Sequence, residues 1–250
     1  MALIDRFYET VQQILSTVTE QERGNIELAA DAIAKAVSQD RLLTVFGTGG
    51  HSYMAGEEIF YRAGGLAAVN SVLDAGVSLI HGARRTTRIE RTPGYANAVL
   101  AGYELDKGDV ILIVNNSGLN ALTIDAANYS RDRGLTVIGV SSIDCSKPVP
   151  ADLPSRHPSA KNLFEVVDIH VDTHVPFGDA VVEVDGCEQK VAPASTIAIA
   201  FILQSMIATS VEKLIEMGVD PPVIRGLNIP GGDEVTKVHL DRYAGRVRHL

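Results

Sequence analysis

Residues 42–52 read LLTVFGTGGHS, and this stretch decides the fold predicted for the chain. Residues 42–46, four of which are apolar, are followed by a glycine-rich loop. A helical pattern then extends from about residue 52 to 63. A buried strand, a tight turn and a helix in this order form the repeating unit of a parallel sheet. Residues 109–118, DVILIVNNSG, repeat the order and are followed by a helical pattern to about residue 133.

Three further short apolar runs, at residues 66–69, 135–140 and 169–171, complete a set of five. Continuous apolar runs predict strands that are buried on both faces, and the helical segments between them predict helices on both sides of the sheet. Crossovers between parallel strands are right-handed. The expected fold class is therefore α/β with a doubly wound parallel sheet.

Further segments flank the predicted sheet. A hairpin is predicted over residues 180–191, with a turn at Asp185-Gly186. Apolar residues at helical spacing predict helices over 3–18, 26–37, 94–105, roughly 194–217 and in the C-terminal tail. We expect one domain over residues 1–250, with N-terminal helices in 1–40, the sheet core in 41–217 and a C-terminal helical extension in 218–250.

The composition and charge of the chain limit its partners. Its 250 residues carry a formal net charge of −9 and no cluster of Lys and Arg, which argues against nucleic acid as the main ligand. The apolar stretch 192–208 is interrupted by proline and polar residues, as expected for a core helix rather than a membrane span. Cys145 and Cys187 fit no zinc or redox motif, and the N-terminus is unlike a secretory signal. We expect a cytoplasmic protein without a cofactor, a metal or a membrane partner.

Two predicted strands end in loops of the same type, rich in glycine and in hydroxyl or amide side chains. In an open α/β sheet, ligands bind beyond the carboxyl ends of the strands. Glycines let the backbone approach a ligand closely, and the helix that follows each loop begins with unpaired N–H groups. The two loops together predict a site for a phosphorylated ligand that needs no lysine. The expected binding residues are Gly47, Thr48, Gly49, Gly50, His51, Ser52, Asn116, Ser117, Gly118 and Asn120.

Other phosphate-binding motifs are absent or incomplete. The sequence contains no G-x-x-x-x-G-K-[ST] segment, which excludes a P-loop nucleotide hydrolase. The loop GTGGHS lacks the third glycine of G-x-G-x-x-G, so it is a poor match to a dinucleotide site.

Six stretches of the chain carry a resemblance to a known family. They are FGTGGHSYMAGEEIFYRAGGL at 46–66, NNSGLNA at 115–121, SRHPSAKNL at 155–163, PFGDA at 176–180, APAST at 192–196 and NIPGGDE at 228–234. Through them the chain resembles the SIS (sugar isomerase) domain proteins, which bind phosphosugars, from about residue 20 to the C-terminus. Within that superfamily it is most similar to a bacterial group of phosphosugar-isomerase-like proteins of about this length. More distantly, it is similar to N-acetylmuramic acid 6-phosphate etherases and phosphoheptose isomerases.

This resemblance implies a flavodoxin-like, five-stranded parallel sheet of the SIS fold. It implies that Ser52 and Ser117 hold the phosphate of a sugar phosphate, which is the expected small-molecule partner. It also implies a homodimer or homotetramer with the active site near a subunit interface. The first loop carries one glycine more than the G-T-G-H-S that is usual in the group.

Four residues are candidates for acid–base chemistry. Isomerising an aldose to a ketose begins with removal of the weakly acidic proton beside a carbonyl, a task for a carboxylate with a pKa raised by burial. Glu57 and Glu58 lie in the helix after the first loop, and the resemblance aligns one of them, preferably Glu58, with a catalytic glutamate of the isomerases and etherases. Glu90, expected just before a helix, aligns with the second catalytic glutamate of the etherases. His157, on a proline-rich loop, is the fourth candidate.

Three functions remain open from the sequence. The first is aldose–ketose isomerisation of an amino sugar or hexose 6-phosphate through an enediol, with Glu58 or Glu57 as the base and Glu90 or His157 as the second group. The second is a lyase, an etherase or dehydratase acting on an N-acetylamino-sugar 6-phosphate, which needs the same proton abstraction at C2. The third is a phosphosugar sensor without turnover, although the chain has no helix-turn-helix segment or basic patch.

Several other polar residues have a structural interpretation. His170, Asp172 and His174 alternate along a predicted strand with ordinary surface spacing, so no metal site is expected there. Arg156 is a candidate for neutralising phosphate and equally an ordinary surface charge. Asp179, in a glycine turn, is interpreted as structural.

Overall fold

The computed structural model describes residues 1–250, and the elements are numbered in chain order. The helices are α1 (Leu3–Gln21), α2 (Arg23–Ser38), α3 (Met54–Ile59), α4 (Ala83–Glu90), α5 (Tyr95–Leu100), α6 (Ala121–Asp132), α7 (Ile143–Ser146), α8 (Ser195–Glu216) and α9 (Gly232–Tyr243). The strands are β1 (Leu43–Gly47), β2 (Val69–Ser71), β3 (Val110–Val114), β4 (Thr136–Ser141), β5 (Ile169–Asp172), β6 (Ala180–Val182) and β7 (Val191–Pro193).

The first five strands form one parallel sheet in the order β2-β1-β3-β4-β5. Leu43 of β1 pairs with Val69 on one side and with Val110 on the other. The chain runs outward from β1 to β2, then crosses over to β3 and continues outward to β5. This flavodoxin-like order brings the carboxyl ends of β1 and β3 side by side at the point where the order reverses. The predicted doubly wound, five-stranded parallel sheet is confirmed.

Both faces of the sheet are buried, as the continuous apolar runs predicted. On one face, strand residues such as Val45 and Leu112 pack with α2, α8 and the C-terminal extension. On the other face, Phe46 and Ile113 pack with α5 and α6. Neighbouring residues of a strand point to opposite faces, so a short run such as VILIV in β3 contributes to two cores at once.

Helix α8 is, by length and composition alone, apolar enough to cross a membrane. In this fold it packs along α2 and also contacts α1 and α3. Its buried side chains, among them Ile199 and Leu203, belong to the larger of the two cores. These contacts make α8 a core helix, as the sequence predicted.

Two predicted elements near the first loop are displaced or shortened. The strand expected over 66–69 is β2, shifted to Val69–Ser71, because the polar Ser71 finds a buried partner when its Oγ donates to the Gly56 carbonyl at 2.8 Å. The helix expected over 52–63 is only α3. The chain leaves the helical conformation at Phe60, and Tyr61 has a positive φ of 50°.

A helix between the first loop and β3 was missed. In α4 the side chain of Thr86 alone is buried, so the segment ARRTTRIE shows no apolar periodicity. Glu90, expected just before a helix, is instead the last residue of α4. The helix expected over 94–105 is the shorter α5.

The predicted hairpin forms with shorter strands. β6 and β7 are antiparallel, with Ala180 opposite Pro193 and Val182 opposite Val191. Residues 183–190 form a loop instead of extending the strands to a tight turn at Asp185-Gly186, because they are almost all exposed and have no packed face to hold them in register.

Candidate active site

A cavity of about 570 Å³ opens beside the carboxyl ends of β1 and β3, where the strand order reverses. Its walls come from both glycine-containing loops, from α4, from the loops that follow β4 and β5, and from the start of α8. Doubly wound sheets bind their ligands at this place. Of the residues predicted to form the site, those that line the cavity are Gly49, Gly50, His51, Ser52, Glu90, Asn116, Ser117 and Asn120.

Asn115 joins the two loops. Its Nδ2 donates to the Thr48 carbonyl at 2.8 Å, and its Oδ1 accepts hydrogen bonds from Ser117 Oγ at 2.8 Å and from Gly118 N at 2.9 Å. A Cβ on residue 49 would lie 2.7 Å from Asn115 Nδ2, so this approach requires the glycine. The two loops are therefore held together as one cradle.

The cradle presents several donors that have no acceptor in the protein. In the first loop, the N–H groups of Gly49, His51 and Ser52 make no hydrogen bond, and the Ser52 hydroxyl is also unpaired. After the second loop, α6 begins at Ala121, so the N–H groups of its first turn have no helical acceptor. Unpaired N–H and hydroxyl donors at a helix start are an arrangement that suits an anion, which makes the cradle a candidate anion site.

Glu90 is a half-buried carboxylate in the same cavity. Its Oε1 accepts a hydrogen bond from Gly50 N at 2.8 Å. Burial raises the pKa of Glu90, while the Gly50 N–H and the nearby Arg91 and His51 oppose that shift without cancelling it. A carboxylate with a raised pKa beside an anion site is a candidate general base.

Asp179 and Ser195 form another part of the cavity wall. Asp179 Oδ1 accepts from the N–H groups of Ala194 at 3.1 Å and Ser195 at 2.9 Å, and its Oδ2 accepts from Ser195 Oγ at 2.7 Å. The carboxylate thus caps the start of α8, a structural role, and it also faces the ligand space.

Asn116 is held from two sides. Thr173 Oγ1 donates to Asn116 Oδ1 at 2.8 Å, and Asn116 Nδ2 donates to Cys145 Sγ at 3.4 Å. Burial raises the pKa of the Cys145 thiol, which keeps it neutral. The thiol orients Asn116 at the cavity wall rather than serving as a nucleophile.

Glu57 and Glu58, predicted as catalytic residues, do not line this cavity. Glu57 is exposed on α3. The Glu58 carboxylate contacts Gln204 Nε2 at 3.0 Å and Arg62 at 3.2 Å, between α3 and α8. The short α3 turns both carboxylates away from the cavity formed by this chain.

His157 and its neighbour Arg156 stabilise the loop that follows α7. His157 Nε2 lies 3.1 Å from Asp125 Oδ1, and its Nδ1 lies 2.7 Å from Ser159 Oγ, so both ring nitrogens have partners outside the cavity lining. The Arg156 guanidinium donates to the carbonyls of residues 146, 149 and 160 and to Asn162 Oδ1. It is a half-buried brace for the loop and does not line the cavity with the predicted phosphate site.

Three predicted phosphate residues lie beneath the cradle rather than on its surface. Gly47 is the last residue of β1, and Thr48 is fully buried with its Oγ1 2.8 Å from Thr123 Oγ1. Gly118 has a φ of 57°, and a Cβ there would lie 2.9 Å from Ser141. These residues shape the loops and present no side-chain donor to the cavity.

The histidines around β5 form no metal cluster, since no three His, Cys, Asp or Glu side chains converge anywhere in the chain. His170 Nε2 lies 2.9 Å from Ser141 Oγ, and burial lowers the pKa of His170 to about 4. His174 Nε2 lies 3.0 Å from Glu22 Oε1, at the junction of α1 and α2.

Four polar or charged lining residues that the sequence did not assign to the site are Asn115, Arg91, Asp179 and Ser195. The Arg91 side chain is exposed at the cavity and makes no hydrogen bond or ion pair, so it is the free cation of the site. Asp179 and Ser195 lie in PFGDA and APAST, two of the stretches that carry the family resemblance. That signal was available, whereas Arg91 directly follows α4, a helix that the sequence did not predict.

Comparison with known proteins identifies the family. The SIS domain matches residues 6–142. UPF0309 proteins match the full length: that of Halalkalibacterium halodurans is 34% identical over 98% of this chain and 96% of its own, and that of Brucella canis is 36% identical over 99% of each. The chain belongs to the SIS domain family and, within it, to the UPF0309 proteins, which confirms the resemblance found in the sequence.

Solved structures share the fold at low sequence identity. Phosphoheptose isomerase from Neisseria gonorrhoeae superposes with a TM-score of 0.57 at 13% identity, covering 84% of this chain and 97% of that one. The NanR protein of Vibrio vulnificus, solved in complex with ManNAc-6P, gives a TM-score of 0.50 at 13% identity, covering 97% of this chain and 69% of that one.

Proposed function

We propose that this protein is a sugar-phosphate isomerase that converts an aldose phosphate to a ketose phosphate through an enediol, with Glu90 as the base. The observation that carries the proposal is the half-buried Glu90 carboxylate in the cavity that holds the unpaired donors of both loops. An anion site and a base in one cavity are what proton abstraction from a sugar phosphate requires.

In this proposal the phosphate lies in the cradle. The unpaired N–H groups of the first loop and of the first turn of α6 donate to its oxygens, together with the Ser52 hydroxyl. The Ser117 hydroxyl joins them by turning its hydrogen from Asn115 Oδ1 to the phosphate. Arg91, free of other partners, adds a positive charge that the loops lack. The interactions with the phosphate then position the sugar carbons relative to the Glu90 carboxylate.

Proton abstraction is the task proposed for Glu90. It takes the proton from C2 of the open-chain aldose, and the electron pair forms the enediolate whose negative charge lies on O1. Returning the proton to C1 gives the ketose. Burial raises the pKa of Glu90, which makes its carboxylate a stronger base. The reaction proposed here needs only groups of the chain itself.

Family and fold support the phosphosugar class of ligand. The SIS family includes this chain, and two proteins that share its fold are a phosphoheptose isomerase and the NanR protein complexed with ManNAc-6P. We take from them the ligand class and not the particular sugar. Elimination from C3 begins with the same abstraction at C2, so a lyase is the alternative reaction at this site, and binding without turnover is the third outcome.

We also propose that the protein forms a homo-oligomer through α1. The side chains of Ile4 and Tyr8 are 76% and 65% exposed, and a groove lined by Tyr8, Val11, Leu15 and Phe201 runs beside them. Apolar surface of this kind marks an interface. Light scattering after size exclusion is expected to give a multiple of 26.7 kDa for the wild type and a smaller species for Ile4→Glu/Tyr8→Glu.

Proton NMR in D₂O with a panel of sugar phosphates tests the proposal. The panel contains glucose 6-phosphate, mannose 6-phosphate, ribose 5-phosphate, glucosamine 6-phosphate and N-acetylglucosamine 6-phosphate. Deuterium entering C2 together with a ketose signal is the expected result. A new vinyl signal instead of a ketose would establish the lyase. Thermal stabilisation by one compound without any exchange would leave only a binding protein.

A further inference from the structure

We infer that Asp179 and Ser195 form a proton relay that serves the oxygen atoms of the substrate, while Glu90 serves its carbons. The inference rests on the proposed function. It starts from a feature that helix capping alone does not require, because the capped residue, Ser195, turns its hydroxyl to the capping carboxylate inside the ligand cavity.

The local backbone presents this pair to the cavity. Gly178 and Asp179 have positive φ values of 88° and 67°, a conformation that is uncommon for residues other than glycine and is tolerated best by Asp and Asn. The turn brings the Asp179 carboxylate to the start of α8, where it accepts the N–H groups of Ala194 and Ser195. These two backbone bonds fix the carboxylate through Oδ1, so Oδ2 can change its bonding without releasing the helix.

The direction of the Ser195 hydrogen bond determines what the pair presents to a ligand. Ser195 Oγ lies 2.7 Å from Asp179 Oδ2 and donates its hydrogen to that carboxylate. The remaining Oγ lone pairs accept hydrogen bonds, and Ser195 is a cavity-lining residue. The pair is therefore built to accept a hydrogen from a substrate hydroxyl. It differs from the cradle of N–H groups, which donates to the phosphate.

Isomerisation has a use for such an acceptor. After Glu90 has taken the C2 proton, the enediolate carries its charge on O1 and a hydrogen on O2. Forming the ketose requires O2 to lose that hydrogen and O1 to gain one. If no protein group performs the exchange, it depends on water, and the enediolate more often recovers its C2 proton and returns to the aldose.

The relay moves a proton from O2 to O1 through Ser195 and Asp179. The O2–H bond breaks and its proton forms a bond to Ser195 Oγ, while the Ser195 O–H bond breaks and its proton forms a bond to Asp179 Oδ2. The electron pair left on O2 becomes the C2–O2 π bond, and the electrons of the enediol double bond accept at C1 the proton that Glu90 holds. Asp179 then returns its proton to Ser195 while Ser195 donates a proton to O1. Both residues thereby regain their starting protonation states.

Two variants separate this role from capping. Ser195→Ala removes the hydroxyl and keeps both backbone bonds to Asp179. Asp179→Asn keeps an acceptor oxygen for those N–H groups and a side chain that tolerates the positive φ, but its amide cannot take a proton. Both variants are expected to fold, and the thermal melting temperature with and without inorganic phosphate verifies this.

The readout is the ratio of ketose formation to C2 deuterium exchange in D₂O, measured with glucose 6-phosphate, mannose 6-phosphate and ribose 5-phosphate. In both variants the exchange is expected to persist and the ratio to fall by about 10-fold or more, within the range attributed to one general acid–base group. A ratio equal to that of the wild type, whether both rates are retained or both fall together, would overturn the relay and leave capping as the role of Asp179.

The wild type distinguishes this failure from failure of the proposed function. Exchange and ketose formation by the wild type with unchanged ratios in the variants would refute the relay alone. Absence of exchange, or a vinyl product, in the wild type would refute the isomerase, and the relay with it, because elimination does not move a proton from O2 to O1.

Discussion

Gly50 N donates a 2.8 Å hydrogen bond to Glu90 Oε1, and this bond connects the first glycine-rich loop to the last residue of α4. The same loop provides unpaired donors for an anion. A ligand that orders the loop therefore also positions the carboxylate. Under the proposed function, this contact would connect the binding of phosphate to the group that moves the proton.

The pKa of Glu90 predicts the pH dependence of the reaction. Glu90 acts as a base only when ionised, and burial raises its pKa above the ordinary value of 4.5. The acid limb of the C2 exchange rate is therefore expected above pH 4.5. Arg91 opposes the shift, so Arg91→Gln should move the limb to still higher pH. Exchange rates at saturating substrate from pH 4 to 9 measure the acid limb of the wild type and that of the variant. An acid limb at the same pH in both proteins would contradict the assignment to Glu90.

Ser52 and Thr48 are expected to behave differently although they lie in one loop. The Ser52 hydroxyl is unpaired at the cavity, so Ser52→Ala should weaken the binding of a sugar phosphate by about 10-fold through loss of one hydrogen bond to a charged group. Thr48 is bonded to Thr123 in the interior, so Thr48→Val should lower the melting temperature and leave the affinity nearly unchanged. Calorimetric titration and thermal unfolding of both variants test this contrast. The reverse pattern would return Thr48 to the phosphate site.

Arg156 is predicted to stabilise the fold rather than bind phosphate. Its guanidinium makes four hydrogen bonds, two of them to backbone carbonyls of its own loop and one to the last carbonyl of α7. Arg156→Lys retains the charge but not the fork of donors, and a loss of about 2–4 kcal/mol in the free energy of unfolding is expected. Urea unfolding measures it, with Arg84→Lys on the exposed side of α4 as the matched control. Equal stability of the two variants would show that the loop does not depend on this side chain.

The lowered pKa of His170 leads us to expect that the protein loses stability in acid. Burial lowers its pKa in the folded state to about 4, from 6.5 in the unfolded chain, so the unfolded state binds more protons between these values. Stability should fall as the pH drops below 6.5 and level off below pH 4, with a loss of about 2 kcal/mol at pH 5. His170→Gln should lose less between pH 8 and pH 5 than the wild type does, as measured by urea unfolding at both values. Equal losses would place the acid sensitivity elsewhere in the chain.

The sheet was predictable because its signal is local. Runs such as VILIV in β3 are buried on both faces, and the glycine-rich loops follow them directly. The same loops gave most of the anion cradle. The predicted ends of elements were wrong where tertiary contacts outweigh the hydrophobic pattern. In β2, for example, the polar Ser71 is buried and donates a hydrogen bond to the Gly56 carbonyl.

The acid–base residues were harder to predict from the sequence. The direction of their side chains depends on short helices and turns that show no apolar periodicity. Glu57 and Glu58 follow the first loop closely in sequence, yet the short α3 and the pairing of Glu58 with Arg62 and Gln204 direct them elsewhere. Glu90 lies at the cavity because it ends α4, and the polar sequence of α4 does not predict a helix. Asp179 and Ser195 meet because a turn with positive φ precedes α8, which spacing alone cannot reveal.

Deuterium exchange at C2 in Glu90→Gln tests the central claim most directly. The variant keeps an oxygen that can accept the Gly50 N–H, so it should bind a sugar phosphate like the wild type while its exchange rate falls by about 100-fold or more. Glu58→Gln tests the competing assignment, and Glu234→Gln, exposed on α9, is the matched control. The account predicts loss of exchange in Glu90→Gln with exchange retained in the other two. Wild-type exchange in Glu90→Gln, or loss confined to Glu58→Gln, would contradict it.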